Sequence, residues 1–581
     1  MCGIAGYFNF KKNSFDSEIL EKMKDSLVHR GPDQHGFYQN QNVGLAHTRL
    51  SIIDLYNGKQ PFSSDGLVLI ANAEIYNYKE LMSSLGDYNY TSGSDCEVIL
   101  PLYQKYGNKF TEHLRGMYSL ALYDEDKEVL IISRDPFGIK PLYYSITNSG
   151  FYFASEIGAL CDVNGVKKEI NNIALKELLA NQYSFDTTSI IKGVSRLLPG
   201  ETIIVKKGNI EKKIINEPLK KSVNKTKSET EYLKILDNAL YDSVSKHLRS
   251  DVPLGLFLSG GIDSTVLLII MSELLENRVN SYTAYFDTGD YFEKEHSSFL
   301  SSKYKSNHIE LQIGKENFLN DLPRIIKAID DPVADYAILP TFLLAERASK
   351  DLKVVLCGEG GDELFGGYGR YRKLLRPLSF GHYIFEKKSI FNNLGILREN
   401  FLPSINQSYY YKKSPAFTKL QNAQLFDCKF WLPNDLLNKV DRCLMHHGLE
   451  GRTPYLDKSI IESSFHLPDK LKINRGKGKY LLRKWLYERD KDSKPFERKR
   501  GFTVPIQKWI FEEGKKIGSL VAEQECIKEI AFPSAVSNIF EKDSKKTGLA
   551  AWVLLFYSLW YKSHLLEKNN EGSIYDVLSE K

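Results

Sequence analysis

The sequence predicts two units of different class in one chain: an α+β sandwich of antiparallel strands, then an α/β unit with a doubly wound parallel sheet. Three observations carry this. The first third of the chain alternates apolar and polar residues in short runs, as in VGLAHTRLSII, LVLIANAEIY and EVLIISRD, which suits two stacked sheets flanked by helices. Residues 253–265, PLGLFLSGGIDST, read as a buried parallel strand that stops at a glycine-rich turn and opens a helix from about Asp263. The same grammar returns at residues 354–363, VVLCGEGGDE. A chain of 581 residues is also too long for one core.

The chain opens with Cys2 directly after Met1. With the methionine removed, that thiol shares its residue with a free α-amine. A thiol titrates near ~8.5 and an α-amine near ~7.7 to 8.0, so the amine can take the thiol proton at little cost. The strand runs continue through YSLALYD and GFYFASE to a hairpin-like ETIIVKKGNIEKKII. Residues 206–227 then carry eight lysines against two glutamates, a solvated stretch. Residues 1–215 are expected to form the first domain, 216–229 a linker and 230–581 the second domain.

The charges nearly balance, 78 basic against 73 acidic side chains, which argues against a dedicated nucleic-acid binder. Seven scattered cysteines with no CxxC pair suit a reducing cytosol. The first residues lack a signal-peptide pattern, and no segment reaches the ~18 apolar residues of a membrane span. A soluble, cytoplasmic protein is expected.

In the second unit, helical spacing resumes at Glu231 and leads to the strand before Ser259, Gly260 and Gly261. Two glycines and two serines at a strand-to-helix turn can bring backbone N–H groups and the helix dipole close to an oxyanion. Turns of this kind sit outside the carboxyl ends of parallel strands, so the two can face one crevice and bring Asp263 near Asp362. Two carboxylates over a polyphosphate imply Mg²⁺. No GxxxxGK[ST] motif is present, which disfavours a Walker-type NTPase.

SGGIDS resembles the PP-loop of the ATP pyrophosphatases, which split ATP between its α and β phosphates. His29 to Asp33 (HRGPD), RLSIIDL from Arg49, NAEIYN from Asn72 and SDCEV from Ser94 resemble a class II, N-terminal nucleophile (Ntn) glutamine amidotransferase. Together, over nearly the whole length, the chain resembles the glutamine-hydrolysing asparagine synthetase family. The resemblance implies an Ntn sandwich with Cys2 as nucleophile. Arg49 would clamp the glutamine carboxylate, Glu74 and Asp95 would hold its ammonium, and Asn72 with the Ala73 N–H would form the oxyanion hole. Ala73 stands where glycine is usual. ATP would lie on Leu258, Ser259, Gly260, Gly261, Asp263, Ser264, Gly358 and Glu359, Mg²⁺ on Asp263 and Asp362, and Lys479 would offset the phosphoryl charge. Asp330 or Asp331, in a DDP segment expected to precede a helix, is a candidate base for the incoming ammonia. Small-molecule substrates and a homodimer are further implications. The expected acceptor is aspartate. Departures from the family pattern at Gly448, Gly451 and Thr453 leave another carboxylate, a uronic acid or a peptide, as the alternative.

Overall fold

A computed structural model describes residues 2–10, 17–207, 209–220, 227–287, 292–376, 389–402, 414–497, 504–568 and 571–580. Part of the expected linker (221–226) and of the KRGFTVPIQKW segment (498–503) lies outside the described residues.

The N-terminal strands build two six-stranded antiparallel sheets. In the first, Gly3–Asn9 is central between Val43–Arg49 and Gly150–Ala154. In the second, Leu67–Ile75 pairs with Gly116–Asp124, and that strand with Val129–Arg134. The period of two decides the layers. Ile4, Phe8 and Leu45 meet Ile70, Ile132 and Ile203 in the core between the sheets. The neighbours Leu69, Ala71, Ile131 and Ile204 point the other way, onto helix Ile99–Tyr106. This is the α+β sandwich predicted from the alternation.

The third sheet has five parallel strands, in the spatial order Asn307–Ile313, Asn280–Phe286, Leu254–Phe257, Val354–Leu356, Glu450–Arg452. The chain enters at the middle strand, winds outward twice, then returns to the other side. The order therefore reverses between Leu254–Phe257 and Val354–Leu356, the two strands that end in glycine-rich turns. Ligands of such sheets bind at that switch point. Helix Ile262–Leu274 follows the first turn and is buried over most of its length, which explains why its sequence is apolar on more than one side.

Helix Glu229–His247 starts on a capping box between Ser228 and Glu231. At the far end, helix Lys545–His564 is nearly all buried, and the indoles of Trp552 and Trp560 donate to the carbonyls of Ala334 and Ile329. The DDP segment precedes helix Ile338–Ala348, as expected, with residues 333–337 between them, and Asp335, not Asp330 or Asp331, accepts the Ala337 N–H at 2.9 Å.

Candidate active site

Cys2 leads into the central strand of the first sheet and is only 7% exposed. Its N–H donates to Asn72 Oδ1 at 3.1 Å. The Asn72 amide nitrogen, fully buried, has no hydrogen-bond partner. A buried orphan donor beside a nucleophile is what an oxyanion hole looks like before the oxyanion forms. Burial pushes the Cys2 thiol up, while the N-terminal amine, the Leu50 N–H and Arg49 pull it down. Ala73 lies within strand Leu67–Ile75 and is not among the residues with positive φ, so a methyl in place of hydrogen adds no backbone strain.

The remaining residues of the first constellation surround this thiol. Arg49 is buried and its guanidinium is held by Gln34 Oε1 at 2.8 Å and by the carbonyls of Ile53 and Asp54. Asp95 Oδ2 accepts the Ile75 N–H at 2.7 Å, and burial pushes its carboxyl up to about 6. Glu74 is pushed well above the usual carboxylate range by burial, against the pull of Arg452, whose Nη2 lies 3.0 Å away.

The second constellation forms at the switch point. The Lys479 ammonium bridges Asp263 and Asp362, the latter at 2.7 Å. Burial works to lower the lysine pKa and the two carboxylates more than offset it. Lys479 takes a left-handed backbone, φ 56°, at the start of helix Tyr480–Arg489, strain of the sort that collects at functional sites. Two glycines make room. A Cβ at Gly361 would stand 2.5 Å from Asp263 Oδ1, and one at Gly367 1.7 Å from Asp362 Oδ1. Ser259 and Ser264 face each other at 3.2 Å across the first turn, below the buried Leu258. Gly358 lies against Asp263, and burial raises the carboxyl of the neighbouring Glu359.

Among the described residues no group of three or more His, Cys, Asp or Glu side chains could hold a metal by itself. Asp263 Oδ1 is nevertheless buried without a hydrogen-bond partner. One or two carboxylates completed by substrate phosphates is how Mg²⁺ is usually bound, so the donor set fits that ion.

Between the constellations lies a buried layer of ion pairs that the sequence did not reveal. Arg30, from HRGPD, donates to the Cys2 carbonyl at 3.2 Å and forks onto Asp441 at 2.8 and 3.1 Å. Although buried, Asp441 is held below the usual carboxylate range by Arg30 and Lys140. Arg452 pairs with Glu450 at 2.5 Å as well as with Glu74. Asp330 is engaged by Arg442 at 2.7 Å, and Asp331 by Arg196 at 2.6 Å and the Tyr143 hydroxyl at 2.8 Å. The candidate bases are thus members of this layer. The three departures also lie here: Gly448 against Pro32 and Leu50, Gly451 against Leu444 and Val440, and Thr453 buried.

No helix of the described residues is long and apolar enough to cross a membrane. The glutamine amidotransferase domain family matches residues 1–215 and the asparagine synthase family residues 236–562. The chain is 31% identical to an asparagine synthetase [glutamine-hydrolyzing] 1 of Bacillus subtilis, over 97% of each chain. It is 30% identical to a putative asparagine synthetase of Mycobacterium bovis, again over 97% of each. A putative asparagine synthetase of Methanocaldococcus jannaschii is 33% identical over 71% of this chain and 87% of that one. Thiol site, switch-point site and both family matches agree that the chain belongs to the glutamine-hydrolysing asparagine synthase family.

Proposed function

We propose that this protein converts aspartate to asparagine, taking the nitrogen from glutamine and the driving force from cleavage of ATP to AMP and pyrophosphate. The observation that carries the reading is the pair of constellations joined through one buried layer: the Cys2 thiol beside an unsatisfied amide donor, and a lysine bridging two aspartates at a parallel-sheet switch point.

The Cys2 nitrogen donates to Asn72 Oδ1, and with Met1 removed it becomes the free amine that takes the thiol proton. The thiolate attacks the glutamine carboxamide carbon, and the Asn72 amide with the Ala73 N–H receives the oxyanion. Ammonia leaves, and water later hydrolyses the thioester to glutamate. Arg49 holds the glutamine carboxylate, while Glu74 and Asp95 hold the ammonium.

A carboxylate oxygen is a poor leaving group, so the acceptor is activated as an acyl-adenylate. The turns at 258–264 and 358–362 cradle the phosphates, and Lys479 offsets the charge of the departing pyrophosphate. Mg²⁺, held by Asp263 and Asp362, would supply further neutralisation of that charge. Glu359, raised by burial, is suited to take the proton from ammonia as it attacks the acyl-adenylate.

The test is product identification by mass spectrometry with glutamine, ATP, Mg²⁺ and aspartate. Asparagine that disappears in Cys2→Ala and returns with ammonium is the expected result. Glutamate formation without asparagine or pyrophosphate overturns aspartate as the acceptor.

A further inference from the structure

The turn that holds the Arg49 guanidinium is anchored from the second unit. Arg49 Nη2 donates to the carbonyls of Ile53 and Asp54, the latter at 2.6 Å, and the Gly58 N–H closes the turn on the same Asp54 oxygen at 3.2 Å. The wrap is tight: a Cβ at Gly58 would stand 2.3 Å from Arg49 Nη2.

Asp54 is the hub of this turn. Its backbone is left-handed, φ 52°, which a short polar residue tolerates when its surroundings hold it there. Its Oδ1 accepts the Asn57 N–H at 3.0 Å and its Oδ2 the Gly93 N–H at 2.7 Å. Gly93 precedes the SDCEV run, so one carboxylate ties the turn behind Arg49 to the segment that carries Asp95. The remaining group, the Asp54 N–H, crosses to the other unit and donates to Asp251 Oδ2 at 2.8 Å. Asp251 answers with its own N–H on the Ile52 carbonyl at 3.0 Å.

Asp251 lies just before strand Leu254–Phe257, whose far end is the Ser259 turn. The neighbouring strand of the switch point begins in the same way. Lys353, directly before Val354–Leu356, pairs with Asp33 at 2.7 Å, and Asp33 accepts the Ser51 N–H at 2.7 Å. Leu50, Ile52 and Ile53 pack on Val354 and Leu254 between these two ties. The turn around Arg49 and the glycine-rich turns therefore sit at opposite ends of the same two short strands.

We propose that Asp251 is a positioning residue for glutamine: through the Asp54 N–H it fixes the turn that aims the Arg49 guanidinium, so the amidotransferase site is finished by a residue of the synthetase unit. The role rests on the reading of Arg49 as the clamp on the glutamine carboxylate. Asp251 itself touches no reacting atom. Without its carboxylate the Asp54 N–H is left to water, the left-handed turn loses one of the bonds that hold it, and the carbonyls behind Arg49 are no longer fixed. Cys2 and Asn72 sit on strands of the sandwich, away from this turn, so capture of glutamine should suffer and its hydrolysis once bound should not.

The experiment is steady-state glutaminase kinetics on the full chain. Asp251→Ala should raise KM for glutamine about fivefold at unchanged kcat. Asp251→Asn, whose Oδ1 still accepts the Asp54 N–H, should return KM to the wild-type value. Arg49→Lys, which keeps the charge and loses the fork, is measured alongside and should also raise KM. A raised KM in Arg49→Lys with wild-type KM in Asp251→Ala overturns the role of Asp251 alone. Wild-type KM in Arg49→Lys overturns the clamp and this role together. An Asp251→Asn variant as impaired as Asp251→Ala, or a kcat that falls as KM rises, as a merely structural loss would give, overturns the role as well.

Discussion

The two constellations are built on opposite plans. Around Cys2 most polar groups already have partners within the sandwich: Asp95 on the Ile75 N–H, Arg49 on two carbonyls and Gln34, the Cys2 N–H on Asn72. One donor, the Asn72 amide, is left over. At the switch point the charges face each other instead, with the Lys479 ammonium between Asp263 and Asp362 on a strained backbone. On the proposed mechanism the first site is completed by a transient oxyanion and the second by a polyphosphate that comes between its charges. Preorganisation thus resides in hydrogen bonds at one end of the molecule and in ion pairs at the other.

Lys479→Met should break this contrast most severely. On the proposed mechanism it removes the charge that meets the leaving pyrophosphate, so asparagine synthesis should fall about a thousandfold with glutamine or ammonium alike. Glutaminase activity should persist, and parallel assays of glutamate and pyrophosphate check the split. Asn72→Ala should do the converse. Glutamine hydrolysis should fall about a hundredfold in kcat, while ammonium-driven synthesis stays at the wild-type rate.

Arg452→Met tests the layer between the sites. It leaves the buried carboxylates of Glu74 and Glu450 without their cation, a change of about 3–5 kcal/mol in unfolding free energy. Urea denaturation measures it. The Arg452→Lys variant, which keeps the charge but loses the fork, should recover part of that loss.

The smallest effect is a pH dependence. Burial raises Asp95 to about 6, so below that pH the carboxyl is neutral and, in its proposed role, would hold the glutamine ammonium weakly. KM for glutamine in the glutaminase assay should therefore rise as pH falls through 6. Asp95→Asn should flatten that limb while raising KM throughout. The same shift has a stability sign. The folded-state pKa lies above the unfolded value, so this group's contribution is fully present below about 4 and is lost as pH rises through 6.

Much of the architecture was legible because it is local. Alternation in LVLIANAEIY sets which residues face which layer, and a glycine-rich turn after an apolar run marks the carboxyl end of a parallel strand wherever that strand ends up. Cys2, Asn72, Asp95, Asp263 and Asp362 could be singled out from short motifs for the same reason. What surrounds Asp330 and Asp331 was not legible because it is not local: Arg442 and Arg196, which engage them, lie more than a hundred residues away in the chain.

The sequence by itself determined the two fold classes, the thiol at the start of the first strand and the paired turns, since backbone geometry and side-chain periodicity depend on neighbours a few residues apart. Only the tertiary structure decided that Arg30 reaches Asp441, that Arg452 reaches Glu74, and that Asp251 reaches Asp54. Burial makes the first two contacts strong by stripping water from charges. Which groups are buried together is set by how the two units pack.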